Sequence, residues 1–306
     1  MSTTIEIHKL TRKFSNVTVV NELSLSVNSG EIFGLLGPNA AGKSTTIRLL
    51  AGILRADSGE AQVLGYNLLT EPEKIKHRIG YVAQQFSLYP DMTVKENIKF
   101  YAGLYNVTDK QILETLTARY GLTGFLDKRA GILSGGYKRR LAIACATPHN
   151  PELILLDEPT AGIDPVTRKE LWDLFYTLAT EGKTLFVTTH YMEEAERCNR
   201  LAFLNHGKRV AFGTPEEIRQ SLSKRQVYAI QTAYNPQLHK RLQENKDIEL
   251  VNQFGNELRV LCKDSLSIAE LQNSLQSLNA ASLNIHKVSP SIEDAFMSLT
   301  HNGNQL

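Results

Sequence analysis

The chain has 306 residues, 42% hydrophobic and 22% charged, with a formal net charge of +2. Those proportions fit a folded protein with room for one large domain and a small one. The near-neutral charge offers no global field for nucleic acid, and the three cysteines (Cys145, Cys198, Cys262) lack the C-x-x-C spacing of a zinc site or the pattern of a disulfide framework.

Met1 to Leu10 lacks the apolar core of a secretory leader. No stretch approaches the roughly 20 apolar residues that cross a bilayer. The expectation is a chain soluble by itself, with buried thiols in a reducing compartment and any membrane role supplied by a partner.

Ile5, Ile7 and Leu10 begin a strand-like alternation that continues through Val17–Val20 and Leu23–Val27, and Asn28-Ser29-Gly30 is a turn. An antiparallel region is expected here. Glu31 to Leu36 is short and apolar and reads as a buried strand. Residues 37–45, Gly37-Pro38-Asn39-Ala40-Ala41-Gly42-Lys43-Ser44-Thr45, then fit G-x-x-x-x-G-K-[ST], and Ser44 to Leu50 reads as a helix start. A glycine-rich turn between strand and helix points backbone N–H groups inward as an anion-binding nest, and the helix N-terminus adds unpaired donors. Lys43 is placed to reach the β- and γ-phosphates of a nucleotide, and the Ser44 hydroxyl to ligate Mg²⁺.

Ala61 to Leu64 reads as another strand. From about Asp91 to Asn150 the pattern turns helical, with Val94–Tyr105 and Lys110–Tyr120 in helical register and Asp109 as an N-cap. Leu133-Ser134-Gly135-Gly136-Tyr137 precedes a helix that opens with Lys138, Arg139 and Arg140. This reads either as a second anion site, with glycines that admit close backbone approach, or as a plain turn with Ser134 capping a helix. One ATP needs one phosphate loop, so a second phosphate-directed segment points to an ATP held by another copy of the chain. Leu153 to Leu156 is an apolar strand ending in Asp157 and Glu158. Asp157 suits Mg²⁺ beside the phosphate loop, and Glu158 suits the orientation or deprotonation of a water. The helix Val166–Thr180 between this strand and Thr184–Thr188 makes a parallel strand–helix–strand unit. Arg200–Asn205 is a further strand before the turn His206-Gly207.

After a polar linker near residues 220–224 the rhythm changes. Strand (Gln226–Thr232), helix (Pro236–Glu244) and strand (Ile248–Gln253) are followed by strand (Glu257–Cys262), helix (Ile268–Leu278) and strand (Ser282–Val288). Strand–helix–strand twice over predicts a small ferredoxin-like α+β domain, with a short terminal helix over Pro290–Leu299.

Together these segments resemble the ATP-binding cassette family, the nucleotide-binding subunits of ABC transporters. Residues 37–45 match its first nucleotide motif, 133–137 its signature motif and Leu153–Glu158 its second nucleotide motif. Ala161-Gly162-Ile163-Asp164-Pro165 is similar to its D-loop, His190 to its switch histidine, Gln84 to its Q-loop glutamine and Phe14 to the aromatic residue that stacks on adenine. The resemblance spans roughly residues 3–220. It implies an α/β P-loop NTPase core of ABC type, residues 1–220, with an antiparallel β subdomain and a helical subdomain at about 91–150. The unit at 225–306 would be an accessory or dimerisation domain. It further implies that two copies sandwich each ATP between the phosphate loop of one and Ser134, Gly135 and Gly136 of the other. Ser44, Asp157 and Gln84 then organise Mg²⁺, Glu158 polarises the water, and His190 contacts the γ-phosphate.

Two positions depart from the family pattern: Ala40 stands where glycine is usual, and Tyr137 where glutamine is usual. If residue 40 needs φ > 0, Ala there costs roughly 1–2 kcal/mol. The helices after Gln84 would receive a polytopic membrane subunit, with Phe86, Leu88 and Tyr89 either as exposed apolar contacts for it or as packing within the helical subdomain itself. Pro290 to Phe296, Lys138 to Arg140 and Gly207 to Gly213 resemble the ATPase subunits of bacterial drug, lipid or polysaccharide exporters. The expectation is an Mg-dependent export ATPase on the cytoplasmic face of the inner membrane, with no nucleic-acid partner. The alternatives are an importer ATPase with a regulatory C-terminal domain, or a soluble cassette protein acting on ribosomes or DNA.

Overall fold

The computed structural model of the chain describes residues 2–275 and 284–303. It forms two compact units, Met1–Phe212 and Gly213–Leu306.

In the first unit β1 (Thr3–Phe14) and β2 (Val17–Asn28) pair antiparallel and bury Ile5, Ile7, Leu10, Leu23, Leu25 and Val27. β3 (Ile32–Leu36) is buried at every position, which is why its sequence is a continuous apolar run and not an alternation. The phosphate-loop segment joins it to α1 (Lys43–Leu50). β4 (Ser58–Val63) and β5 (Tyr66–Asn67) complete an antiparallel sheet in the order β2-β1-β4-β5. The short α2 (Pro72–Lys76) and β6 (Ile79–Val82) follow.

α3 (Val94–Leu104) starts from a capping box in which Thr93 and Glu96 satisfy each other's backbone N–H groups. α4 (Lys110–Arg119) starts at Asp109 as expected. Two 3-10 turns lead to α5 (Gly135–Ala146), and then come β7 (Leu153–Asp157), α6 (Pro165–Thr180), β8 (Thr184–Thr189), β9 (Arg200–Asn205) and β10 (Lys208–Gly213). The six-stranded sheet runs β10-β9-β3-β8-β7-β6, with β9, β3, β8, β7 and β6 parallel. Trp172, Leu171 and Phe175 of α6 pack with Leu141 and Ile143 of α5 and with Ile154 and Leu156 of β7, joining the helical region to the sheet. Each such fully buried side chain contributes about 1.5–3 kcal/mol. Parallel strands place their carboxyl ends on one edge, so the loops leaving β3, β6, β7 and β8 converge there.

The second unit begins earlier than the expected boundary near 220, because Pro215–Gln220 forms a helix (α7) that packs on the last helix of this unit. β11 (Arg225–Gln231), α8 (Pro236–Gln243), β12 (Ile248–Phe254), β13 (Glu257–Lys263), α9 (Ile268–Leu275), β14 (Asn284–Val288) and α10 (Ile292–Gly303) follow. The expected helix to Leu278 and strand from Ser282 run into residues 276–283, outside the described residues. The sheet order is β12-β13-β11-β14, every pair antiparallel. Tyr228, Ile230, Leu258 and Val260 form one core with Leu238 and Leu242 of α8 and Leu271 and Leu275 of α9. Arg259, which alternates with Leu258 and Val260, reaches Asp294 of α10 at 2.7 Å. The two faces of the sheet are thus covered by different helices. Among the described residues no helix is long and apolar enough to cross a membrane.

Candidate functional site

The loop between β3 and α1 holds its shape through backbone that side chains would obstruct. Gly42 has φ +103°, and a Cβ there would meet the Val19 carbonyl oxygen at 2.5 Å. Gly42 is also the N-cap of α1 and supplies no side-chain cap, so the first helical N–H groups keep their donor capacity for a ligand. Ala40 sits at φ +63°, so the conditional cost stated for that position applies. Pro38, Asn39 and Ala40 are exposed, Ala41 and Gly42 are buried, and Thr45 is half-buried.

Lys43 is buried, and its Nζ donates to the carbonyls of Gly37 (2.8 Å) and Pro38 (3.0 Å) while lying 3.3 Å from Glu158 Oε1. Ser44 Oγ donates to Asp157 Oδ1 at 3.0 Å, and Thr188 Oγ1 donates to the same oxygen at 2.8 Å. Asp157 is 0% exposed and its Oδ2 has no hydrogen-bond partner. A buried carboxylate oxygen left bare beside a serine hydroxyl is the hard oxygen donor set that suits Mg²⁺ completed by phosphate and water. Among the described residues there is no cluster of three His, Cys, Asp or Glu that would bind a metal without such help.

Glu158 follows with φ +46°, an uncommon conformation for this residue type. It is held by its own N–H, which donates to Thr188 Oγ1 (2.9 Å) and Thr188 O (3.2 Å). Its side chain is 5% exposed. Oε2 receives Gln84 Nε2 at 3.1 Å and lies 3.1 Å from His190 Nδ1. An ionised carboxylate can only accept, so against it Nδ1 carries the ring proton. Lys43, Gln84 and His190, separated by up to 147 positions in sequence, therefore meet on one carboxylate.

Among the described residues, no hydrogen bond or ion pair joins Phe14, Ser134 or Asp164 to this cluster. Phe14 is 42% exposed at the end of β1, with the Arg12 guanidinium 4.7 Å from its ring centroid. Ser134 is the N-cap of α5 and accepts from Tyr137 N, as the plain capping reading has it, yet Ser134 and Gly135 remain exposed. Gly136 is buried, and a Cβ there would meet Thr167 Cγ2 of α6 at 2.3 Å. Its smallness serves helix packing. Leu88 is likewise buried in the core and not exposed, and Phe86 is partly buried; only Tyr89 of the three expected contacts is exposed. Asp164 of the expected D-loop caps α6 by accepting from Val166 and Thr167 N–H groups.

Arg139 joins this cluster through backbone carbonyls. Its guanidinium donates to the carbonyls of Ala83 (2.8 Å), Gln84 and Glu158 (3.3 Å). The only sequence signal was its place in a basic run.

Residues 20–161 match the ABC transporter family profile. The Nod factor export ATP-binding protein I of Rhizobium sp. (strain N33) is 37% identical over 300 residues, covering 97% of this chain and 96% of that protein. The chain belongs to the ABC transporter ATP-binding proteins. The probable multidrug ABC transporter ATP-binding protein YbhF of Escherichia coli K12 is 41% identical over 220 residues, 71% of this chain; the chain spans 38% of that relative's length. Among solved structures, cbiO1 of Clostridium perfringens, part of the cbiONQ complex, superposes with a TM-score of 0.65 at 25% identity, covering 73% of this chain and 94% of that one. A dimeric ATP-binding cassette in a post-hydrolysis state with ADP and Pi superposes with a TM-score of 0.63 at 26% identity, covering 69% and 98%.

Proposed function

We propose that this cassette binds and hydrolyses ATP as a head-to-tail dimer and so drives export through separately encoded membrane subunits. The observation that carries it is the convergence of Lys43, Gln84 and His190 on Glu158, next to an Asp157 with one bare oxygen. Lys43 and the N–H groups of residues 37–45 bind the phosphates. Ser44 and Asp157, with Gln84 alongside, hold Mg²⁺, which neutralises phosphate charge. Glu158 orients and deprotonates the attacking water, and His190 and Gln84 fix the carboxylate until the γ-phosphate engages them. Phe14 stacks on adenine. Ser134 and Gly135, exposed at the start of α5, meet the ATP of the second copy together with the backbone of Gly136.

Export is supported by the relative that matches over nearly its whole length, which carries that word in its name. A groove of about 300 Å³, lined by residues that include Ile53, Tyr81, Ser87, Tyr101 and Tyr105, offers the membrane subunit an apolar seat close behind Gln84. That partner would hold the chain at the cytoplasmic face of the inner membrane. In the second unit, the order β12-β13-β11-β14 with two strand–helix–strand units supports the ferredoxin-like reading and an accessory or dimerisation role.

The test is sedimentation of the full-length Glu158→Gln variant. Dimers that form with Mg-ATP and dissociate without it are expected. Monomers at saturating Mg-ATP overturn the shared site.

A further inference from the structure

Three consecutive basic residues on α5 have three different partners. Lys138 Nζ lies 5.5 Å from the Phe86 ring centroid, and Arg140 pairs with Glu170 of α6 at 2.7 Å. Arg139 alone turns toward the nucleotide cluster. Its Nη1 donates to Ala83 O and its Nη2 to both Gln84 O and Glu158 O. The side chains of Gln84 and Glu158 are in turn bonded to each other at 3.1 Å. One planar guanidinium thus ties the backbones of two residues whose side chains meet in front of it, which is a closed ring of hydrogen bonds. Only a rigid fork of donors spans three carbonyls in this way. Burial pulls the Arg139 proton affinity down, and the Asp157 and Glu158 carboxylates oppose that pull.

Arg139 also stands five residues after Ser134 on the same helix, a rise of about 7.5 Å. A displacement of Glu158 or Gln84 is therefore carried into the helix whose first residues face outward.

We propose that Arg139 is a positioning residue for ATP hydrolysis, holding Glu158 and Gln84 of one site and coupling them to the Ser134 end of α5, which serves the site of the second copy. This rests on the shared-site reading above.

The experiment compares full-length wild type, Arg139→Met and Arg139→Lys by ATP-dependence of phosphate release, nucleotide affinity and thermal midpoint. Arg139→Met keeps the stem and removes all three donors; kcat falls by about 10²-fold, the usual cost of a misplaced reacting group, with ATP affinity little changed. Its Hill coefficient drops toward unity. Arg139→Lys restores a point charge without the fork and recovers part of kcat. Wild-type kcat and Hill coefficient in Arg139→Met overturn the proposal, as does a loss of activity that merely follows the unfolded fraction at the assay temperature. Glu158→Gln run alongside separates the two levels. If it dimerises with Mg-ATP while Arg139→Met behaves as wild type, only the role of Arg139 falls. If it stays monomeric, the shared site and the coupling between copies fall together.

Discussion

Two loops of the larger unit lead into helices, and they are built in opposite ways. The loop before α1 leaves its helix uncapped and buries Lys43 against the Glu158 carboxylate, with the Ser44 hydroxyl locked on Asp157. The loop before α5 caps its own helix with Ser134 and leaves Ser134 and Gly135 exposed, with no hydrogen bond or ion pair from them to the Lys43–Glu158 cluster among the described contacts. The first gathers a lysine, a hydroxyl and two carboxylates into one buried cluster. The second has a finished local structure and an outward face. The contrast is what the proposed shared site requires: under that proposal one loop supplies the reacting groups in each chain, and the other serves across an interface.

The sharpest way to break this comparison is at Glu158. Glu158→Gln keeps the shape and the hydrogen bond from Gln84 but removes the base. Phosphate release is expected to fall by about 10²–10⁴-fold, with nucleotide affinity retained. Wild-type turnover in that variant would remove Glu158 from the chemistry and leave the buried cluster as a structural ion pair.

The α5 loop is split by its two glycines. Gly136→Ala drives a methyl into Thr167 of α6, where the contact would be 2.3 Å. Overpacking of that kind costs about 1–3 kcal/mol, read as a lower urea midpoint. At Gly135 the nearest obstacle is Ile163 Cγ2 at 3.6 Å, ordinary contact distance, so Gly135→Ala leaves the midpoint in place. Equal midpoints for the two variants would show that α5 and α6 do not pack as described.

The phosphate loop and the Asp157-Glu158 pair were legible because their chemistry is local: a fixed spacing in the first case, an apolar strand running into two carboxylates in the second. Asp109 as a cap and the parallel β7–α6–β8 unit were legible for the same reason. Gln84 and His190 carried no local signal and entered only through resemblance; their meeting on Glu158 is a product of strand order. Arg139 was illegible because its partners are backbone carbonyls 19, 55 and 56 positions away. A contact to a carbonyl selects no residue type on the accepting side. The choice between contact and packing at Leu88, and the tight seat of Gly136 against α6, were out of reach for the same reason, since their neighbours come from other segments. α7 was missed as the start of the second unit, because a six-residue helix is too short to establish a period.

Phe14 sharpens the comparison from outside both loops. Its ring is exposed and touched by Arg12, so its removal disturbs little of the core. If it stacks on the base, Phe14→Ala weakens ATP binding by about 1–3 kcal/mol, or roughly 5- to 150-fold in Kd. Titration calorimetry against ATP reads the change. Unchanged affinity would leave the purine to be held elsewhere.

The smallest expected effect is at Ala40, within the phosphate loop itself. With φ at +63° its Cβ crowds the following carbonyl, a cost of about 1–2 kcal/mol that glycine avoids. Glycine also loosens the unfolded chain, which returns about 0.4–1 kcal/mol of that gain. The balance predicts that Ala40→Gly stabilises the protein by about 1 kcal/mol or less, raising Tm by about 1–3 °C. The neighbouring Ala41 is buried and does not share the positive φ, so Ala41→Gly has no strain to relieve and lowers Tm. Opposite signs at adjacent alanines arise only if the loop turns through the left-handed region at residue 40. A drop in Tm for both variants would mean that the loop relaxes out of that turn in solution, and the inward-facing N–H groups on which phosphate binding depends would then be formed by the nucleotide rather than before it.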